Sequence, residues 1–145
     1  MRKTLTLLTL LICSVSVFAV KVNPVDVNVL PETAQKFIKT HFPKLVIKSI
    51  DIEDSLLGGK KYDVEFTNGF DVEFDNKGVW FQIDCEESPV PNELIPVKIA
   101  EYIKQHFPGD FITQIELSKA GYEVELHSDL FLEFDKNQKF KRIDN

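Results

Sequence analysis

The chain has 145 residues, a length that supports one compact domain with a single hydrophobic core. Apolar residues make up 43% of it and charged residues 28%, which is the composition of a globular protein and excludes a disordered chain. Its 23 acidic and 17 basic residues give a net charge of −6, which opposes binding to nucleic acid or to an anionic membrane. A basic partner or a cation suits this charge better.

The first 19 residues have the pattern of a secretion signal. Arg2 and Lys3 form a short positive segment, residues 5–17 are largely apolar, and Ala19 is a small residue of the kind that precedes signal-peptidase cleavage. The apolar run is shorter than the roughly 20 residues of a membrane span. We therefore predict a signal peptide at 1–19, a periplasmic or secreted protein, and no membrane insertion after cleavage.

Two parts of the chain match each other, and this internal match is the strongest signal in the sequence. Residues 31–43 match residues 96–108 at an offset of 65, and both segments end in His-Phe-Pro. Further along, residues 62–66 match residues 122–126 at an offset of 60. The match predicts a duplicated unit. The predicted organisation is an N-terminal linker at 20–29, a single domain at 30–145 with repeats at 30–85 and 94–145, and a linker at 86–93 between the repeats.

Each repeat is predicted to contain one helix followed by four short strands. The helices begin at Pro31 and Pro96, because proline suits the first turn of a helix. They end before Pro43 and Pro108, because proline disfavours helical geometry in the preceding residue. The strands alternate apolar and polar residues, which is typical of an antiparallel sheet with one covered and one open face. We therefore predict an α+β fold in which two tandem α-β4 repeats (one helix and four strands each) place their helices on one face of the sheet.

The repeat resembles the PepSY-like family of β-lactamase-inhibitor-like periplasmic proteins, which are common in Bacteroides-type bacteria. The resemblance rests on the Phe-Pro that closes the helix, Tyr-x-Val-x-Phe at 62–66, Val-x-Phe-Asp-x-x-Gly at 72–78, and Trp80. It covers nearly all of the chain after the leader, and it implies one curved antiparallel sheet with an inhibitory or binding role. The second repeat departs from the pattern, since Gln138 and Phe140 replace the glycine and the tryptophan.

Most side chains predicted to point away from the helices are acidic. Of 23 such positions, 14 are acidic, one is arginine and none is lysine. Solvation alone would explain a polar face, but it would not explain the single sign of charge, since like charges on neighbouring strands destabilise a sheet. We therefore predict a partner-binding face made of Glu65, Glu73, Trp80, Asp84, Glu125, Phe131, Glu133, Phe140 and Arg142.

Three aromatic side chains belong to this predicted face. Trp80 and Phe140 occupy equivalent positions in the two repeats, and Phe131 lies on a neighbouring strand of the second. Large exposed aromatics are typical of the residues that dominate binding at protein interfaces. We predict that they anchor a basic segment of a protein partner, with inhibition as one form of this binding. Packing against a neighbouring loop is the alternative for each ring.

Calcium binding is the alternative function of the same carboxylates, because calcium prefers several oxygen ligands. The sequence has no EF-hand loop, so an ion would have to be shared between strands. Few residues in the sequence could support catalysis. There are three histidines, Cys85 is the one cysteine beyond the leader, and there is no glycine-rich phosphate loop. We expect a monomeric, non-enzymatic protein without a cofactor. Calcium is the one candidate for a bound ion.

Overall fold

The computed structural model describes residues 25–54 and 58–144. The predicted signal peptide and the first part of the predicted 20–29 linker lie outside these residues. Among the described residues, no helix combines the length and the apolar character that crossing a membrane requires.

The described chain contains two α-helices, two short 3-10 helices and eight strands. One α-helix precedes the first four strands and the other precedes the last four. The 3-10 helices are Val27–Val29 and Asn92–Leu94, and the remaining elements are α1 (Glu32–His41), β1 (Ile47–Asp54), β2 (Lys60–Phe66), β3 (Asp71–Phe74), β4 (Trp80–Asp84), α2 (Val97–His106), β5 (Ile112–Ser118), β6 (Gly121–Leu126), β7 (Phe131–Asp135) and β8 (Phe140–Asp144).

The eight strands form one antiparallel sheet in chain order, from β1 at one edge to β8 at the other. Strands β4 and β5 join the two halves, with Ile83 opposite Ile115. The segment between these strands packs against the sheet, because Val90 is buried and its N–H donates to the carbonyl of Ile112. The predicted α+β fold with a single antiparallel sheet is confirmed.

Both helices cover the same face of the sheet. Ala34 and Ile38 of α1 are buried there, as are the corresponding apolar residues of α2. The Phe37 ring of α1 meets Phe74 of β3 edge-on, with 5.6 Å between ring centroids. Tyr102 of α2 meets Phe134 of β7 in the same way, at 5.5 Å. Aromatic pairs favour this edge-to-face geometry, so it fixes each helix over its own set of strands.

One row of apolar side chains crosses the covered face at the same level of every strand. Its six central members are completely buried, and each such burial contributes roughly 1.5–3 kcal/mol to folding. The two end members lie on the edge strands, where Ile143 is 42% exposed. In strand order the row consists of Ile50, Val64, Val72, Ile83, Ile115, Val124, Leu132 and Ile143.

Candidate functional site

The face of the sheet opposite the helices, called the open face below, carries two rows of side chains that are mostly acidic. Each row takes one residue from every strand, and 11 of the 16 residues are Asp or Glu. The first open row is Asp51, Asp63, Glu73, Gln82, Glu116, Glu123, Glu133 and Arg142. The second open row is Ser49, Glu65, Asp71, Asp84, Gln114, Glu125, Phe131 and Asp144.

Seven of the nine predicted partner-binding residues belong to these rows. Phe131 is the aromatic among them, and its side chain is 37% exposed. Their position agrees with the alternation in the sequence, while their binding role stays a prediction. The seven are Glu65, Glu73, Asp84, Glu125, Phe131, Glu133 and Arg142.

The predicted position of Trp80 and Phe140 on the open face was wrong. Trp80 lies opposite Phe74 in the sheet, and its ring centroid is 6.3 Å from that of Phe37 on α1. Phe140 lies opposite the equivalent phenylalanine of β7, and its ring stacks on Tyr102 at 4.7 Å. Both rings are partly buried against the core. They therefore hold the helices to the sheet.

A bulge in each half explains the error. The pairing of β3 with β4 shifts by one residue between Glu73 and Phe74, and the pairing of β7 with β8 shifts in the same way. A bulge adds one residue to one strand, so the faces of the residues beyond it are exchanged. As a result Phe81 lies on the open side, where its ring centroid is 5.6 Å from Nζ of Lys61.

The first half holds a crowded pair of aspartates in the middle of its strands. Burial raises the pKa of Asp71 to about 8, helped by a hydrogen bond to Asp63 and by the negative charges of Asp63, Glu73 and Asp84. Oδ1 of Asp63 is buried and has no hydrogen-bond partner among the described residues, so water does little to solvate this pair. The nearby Glu73 forms an ion pair with Lys61. Asp71 therefore keeps its proton near neutral pH and donates it to the Asp63 carboxylate.

In the second half, three carboxylates converge across β6, β7 and β8. Glu123, Glu133 and Asp144 each place one oxygen within 4.8 Å of the other two, and we call this group the carboxylate triad. A depression of about 110 Å³ lies beside it, lined in part by Glu116 and Lys141. Calcium binds oxygens at about 2.3–2.6 Å, so oxygens at this spacing can share one ion.

The triad is only partly neutralised by basic side chains. Nη2 of Arg142 lies 2.6 Å from Oε1 of Glu133 and 3.6 Å from Oδ2 of Asp144, and Lys141 also contacts Glu133. Hydrogen bonds from Lys141 and then Arg142 lower the pKa of Glu133. Burial raises the pKa of Glu123, and neighbouring carboxylates raise it further. Negative charge therefore remains uncompensated around Glu123, and a bound cation would relieve it.

The aspartate pair predicts an unusual pH dependence of stability. A carboxyl group ordinarily has a pKa of about 4, so between about pH 4 and 8 the folded chain keeps a proton on Asp71 that the unfolded chain has lost. This group therefore makes the fold less stable as pH rises through that window. Without calcium, Asp71→Asn should flatten the fall of melting temperature between pH 5 and 8 and stabilise the fold at pH 8. Glu101→Gln on α2 is the control, and a slope unchanged by Asp71→Asn would contradict the shared proton.

Cys85 and His127 are each held in a structural environment. Cys85 is buried, and burial followed by the charge of Asp84 raises the pKa of its thiol to about 12. Its reactive thiolate is therefore negligible at neutral pH. His127 stacks on Phe111 and lies 3.4 Å from a carboxylate oxygen of Glu87. His127 therefore has both a stacking partner and an acidic partner.

Glu123 and Asp144 were not predicted from the sequence as members of a site, and neither was the pair of Asp63 with Asp71. The strand pattern already placed all four on the open face. Predicting that these side chains lie close together requires the pairing register of three neighbouring strands. The hairpin turns on either side of β7 are the sequence signal from which that register could be predicted.

The profile of the family described as "Putative beta-lactamase-inhibitor-like, PepSY-like" matches residues 17–56 and 60–142. No curated protein matches the chain significantly.

Three solved structures from Bacteroides are similar over most of the chain. A periplasmic protein of unknown function from Bacteroides vulgatus is 36% identical with a TM-score of 0.80, covering 83% of this chain and 95% of its own. A "putative calcium-regulated periplasmic protein" from Bacteroides thetaiotaomicron is 39% identical with a TM-score of 0.78, covering 85% and 96%. A second Bacteroides vulgatus periplasmic protein is 40% identical with a TM-score of 0.79, covering 88% and 99%.

All three relatives are described as periplasmic proteins, and the predicted location is confirmed on this basis. The resemblance predicted from the helix-closing Phe-Pro and the strand motifs is confirmed as well. Because the family profile matches most of its length, the chain belongs to the PepSY-like family.

Proposed function

We propose that this protein is a calcium-responsive periplasmic domain and that the carboxylate triad binds the ion. The observation that carries the proposal is the convergence of oxygens from Glu123, Glu133 and Asp144 within 4.8 Å. Carboxylate oxygens are the ligands that calcium prefers. A relative that is 39% identical is described as a "putative calcium-regulated periplasmic protein", which supports the choice of ion.

Calcium at the triad would act on the edge of the sheet. The triad takes one residue from each of β6, β7 and β8, and β8 is the most exposed strand of the second half. An ion held by all three would attach β8 more firmly to its neighbours. Arg142 contacts two members of the triad, so calcium would compete with its guanidinium and release that side chain. Binding would therefore change both the stability and the charge of this edge.

We also infer that the two halves are tandem α-β4 repeats that have diverged in function, within one domain at 30–145. The equivalent positions of the triad in the first half are Asp63, Glu73 and Asp84, at an offset of 60. There Lys61 pairs with Glu73, while Asp63 shares a proton with Asp71. The second half has Phe131 at the position of Asp71. The carboxylates of the first half therefore share a proton, whereas those of the second half can bind a cation.

The test is a thermal melt of residues 20–145, the chain without its predicted signal peptide and called the exported chain below, after removal of metals. Millimolar CaCl₂ should raise the melting temperature by several degrees, because a ligand at 100 times its dissociation constant adds about 2.7 kcal/mol to stability. MgCl₂ and NaCl at matched ionic strength should raise it less. Glu123→Gln should raise the melting temperature without calcium, since it removes repulsion, and should abolish most of the calcium effect. Glu101→Gln on the helix side is the matched control.

The same experiment can contradict the proposal. Equal shifts from the three salts would mean that the salts only screen repulsion between acidic side chains. A full calcium effect in Glu123→Gln would place any bound ion elsewhere.

A second candidate function is binding to a basic protein segment, with inhibition as its consequence. The acidic open rows and the exposed ring of Phe131 among them favour it. The description of the family as β-lactamase-inhibitor-like also supports it. Trp80 and Phe140 no longer contribute, because they pack against the helices. Binding of this kind should weaken as NaCl rises, whereas a calcium-specific melting shift would favour the first function.

A further inference from the structure

The sheet has two free edges that differ in charge. Within the described residues, β1 and β8 each pair with one strand only. Such an edge presents backbone N–H and C=O groups to any strand that approaches it. Strand β8 carries Lys141 and Arg142 against one acidic residue, Asp144. Strand β1 carries three acidic residues against one lysine, and these are Asp51, Glu53, Asp54 and Lys48. The two edges are therefore complementary in charge.

The junction between the two halves shows how such edges can meet. Strands β4 and β5 come from different halves and pair antiparallel, with Gln82 opposite Glu116 and Asp84 opposite Gln114. Between these pairs lie Ile83 and Ile115, both completely buried. This junction continues the apolar row and both open rows from one half into the other.

The free edges have the same sequence pattern as the two sides of that junction. Strand β8 matches β4 at an offset of 60, so Arg142, Ile143 and Asp144 correspond to Gln82, Ile83 and Asp84. Strand β1 matches β5 at an offset of 65. In that match Ser49, Ile50 and Asp51 correspond to Gln114, Ile115 and Glu116.

We propose that a second copy of this chain docks its β1 against β8 of the first copy, in the register of the β4–β5 junction. Asp51 would then face Arg142, an opposite-charge pair where the internal junction has glutamate facing glutamine. Ile50 would face Ile143, whose equivalent at the internal junction is buried while Ile143 itself is 42% exposed. Ser49 would face Asp144 and could donate a hydrogen bond to it. Cross-strand contacts of this kind stabilise strand pairing in addition to the backbone hydrogen bonds.

The contact joins two different edges, so each added copy leaves one β1 and one β8 free. Head-to-tail contacts of this type produce either a ring or an open chain of subunits. The result would be a sheet that continues through several copies, with one acidic face along its whole length.

The test is sedimentation velocity on the exported chain in EDTA, from low micromolar to near-millimolar concentration. The average mass of the wild type should at least double over this range. Asp51→Arg and Arg142→Glu should each stay monomeric, because the first would place two guanidinium groups opposite each other and the second would place two carboxylates opposite each other. An equimolar mixture of the two variants should associate again, since β1 of one variant and β8 of the other then pair opposite charges. Val97→Lys, at an exposed position on α2, should behave as the wild type.

Folding of each variant is checked by its thermal melt, and Ile143→Lys tests the same contact if Arg142→Glu does not fold. A wild type that stays monomeric at all concentrations, which is the state predicted from the sequence, would overturn the proposal. Association of Asp51→Arg alone, or a mixture that does not associate, would also overturn it, because either result would place any contact away from these edges.

Discussion

Phe74→Ala is expected to lower the free energy of unfolding by about 3–5 kcal/mol, as truncation of a buried phenylalanine usually does. The Phe74 side chain is completely buried and packs edge-on against Phe37 of α1. In the sheet it lies opposite Tyr62 on one side and Trp80 on the other. Alanine would leave a cavity beneath α1 that these rigid rings cannot fill. Since small domains have about 5–15 kcal/mol of stability in total, the loss would be severe.

The measurement is urea denaturation of the purified variant, with Phe131→Ala as the matched control. Phe131 is also a strand phenylalanine, but it lies on the open face and is 37% exposed. Its truncation should cost less, about 1–2 kcal/mol, because part of its surface stays in water on folding and its removal opens no enclosed cavity. Similar losses for the two variants would contradict the assignment of helix-covered and open faces.

Gly121→Ala is expected to destabilise the fold by about 3 kcal/mol or more. Gly121 begins β6 with φ of +142°, a conformation that side chains disfavour. A methyl group there would overlap the carbonyl oxygen of Phe134 and would lie 2.7 Å from the carbonyl carbon of Asp135. Both atoms belong to the backbone of β7, so they cannot move aside without breaking the β6–β7 pairing.

Gly109→Ala is the control that separates backbone strain from this clash. Gly109 also has a positive φ, +89°, but no atom lies within 4 Å of the position that its methyl group would take. It should therefore cost only about 1–2 kcal/mol, the penalty for left-handed geometry. If urea denaturation gave the same loss of stability for Gly121→Ala and Gly109→Ala, the backbone of β7 would have to move away from the added methyl group at little energetic cost.

The fold could be predicted largely from local patterns. Pro43 and Pro108 follow the helices closely, and the alternation of apolar and polar residues assigned β2, β3, β6 and β7 to the correct faces. Alternation is informative there because the register of these strands is regular. The same reasoning located seven of the nine proposed partner-binding residues on the open face.

The side of the sheet on which Trp80 and Phe140 lie could not be predicted from the alternation of apolar and polar residues. A bulge changes which side the residues occupy, but the sequence pattern still looks regular. One signal was available in the first half. Gly78 has φ of +77° at the end of the turn that follows Asp75, and a glycine there is typical of a hairpin with a bulge. In the second half Gln138 adopts φ of +65° without being glycine, so the sequence there gave no such warning.

The carboxylate triad and the protonated Asp71 were beyond sequence reasoning for a different reason. Their properties depend on distances between side chains and on burial, and neither quantity follows from a strand pattern. The outward position of Asp71 was predicted, but its pKa depends on how far Asp63 and the neighbouring strands exclude water from it.

The order of strands in the sheet also bears on how the chain folds. Every strand pairs with its neighbour along the chain, so most loops that must close are short and cost little entropy. The exception is the pairing of β4 with β5, which spans residues 85–111 and encloses α2. Native contacts between residues close in sequence favour rapid folding. When the N-terminal part of the chain becomes available first, the first four strands can therefore pair before the last four are present. Strand β4 then offers β5 an already formed edge, and the sheet continues from it.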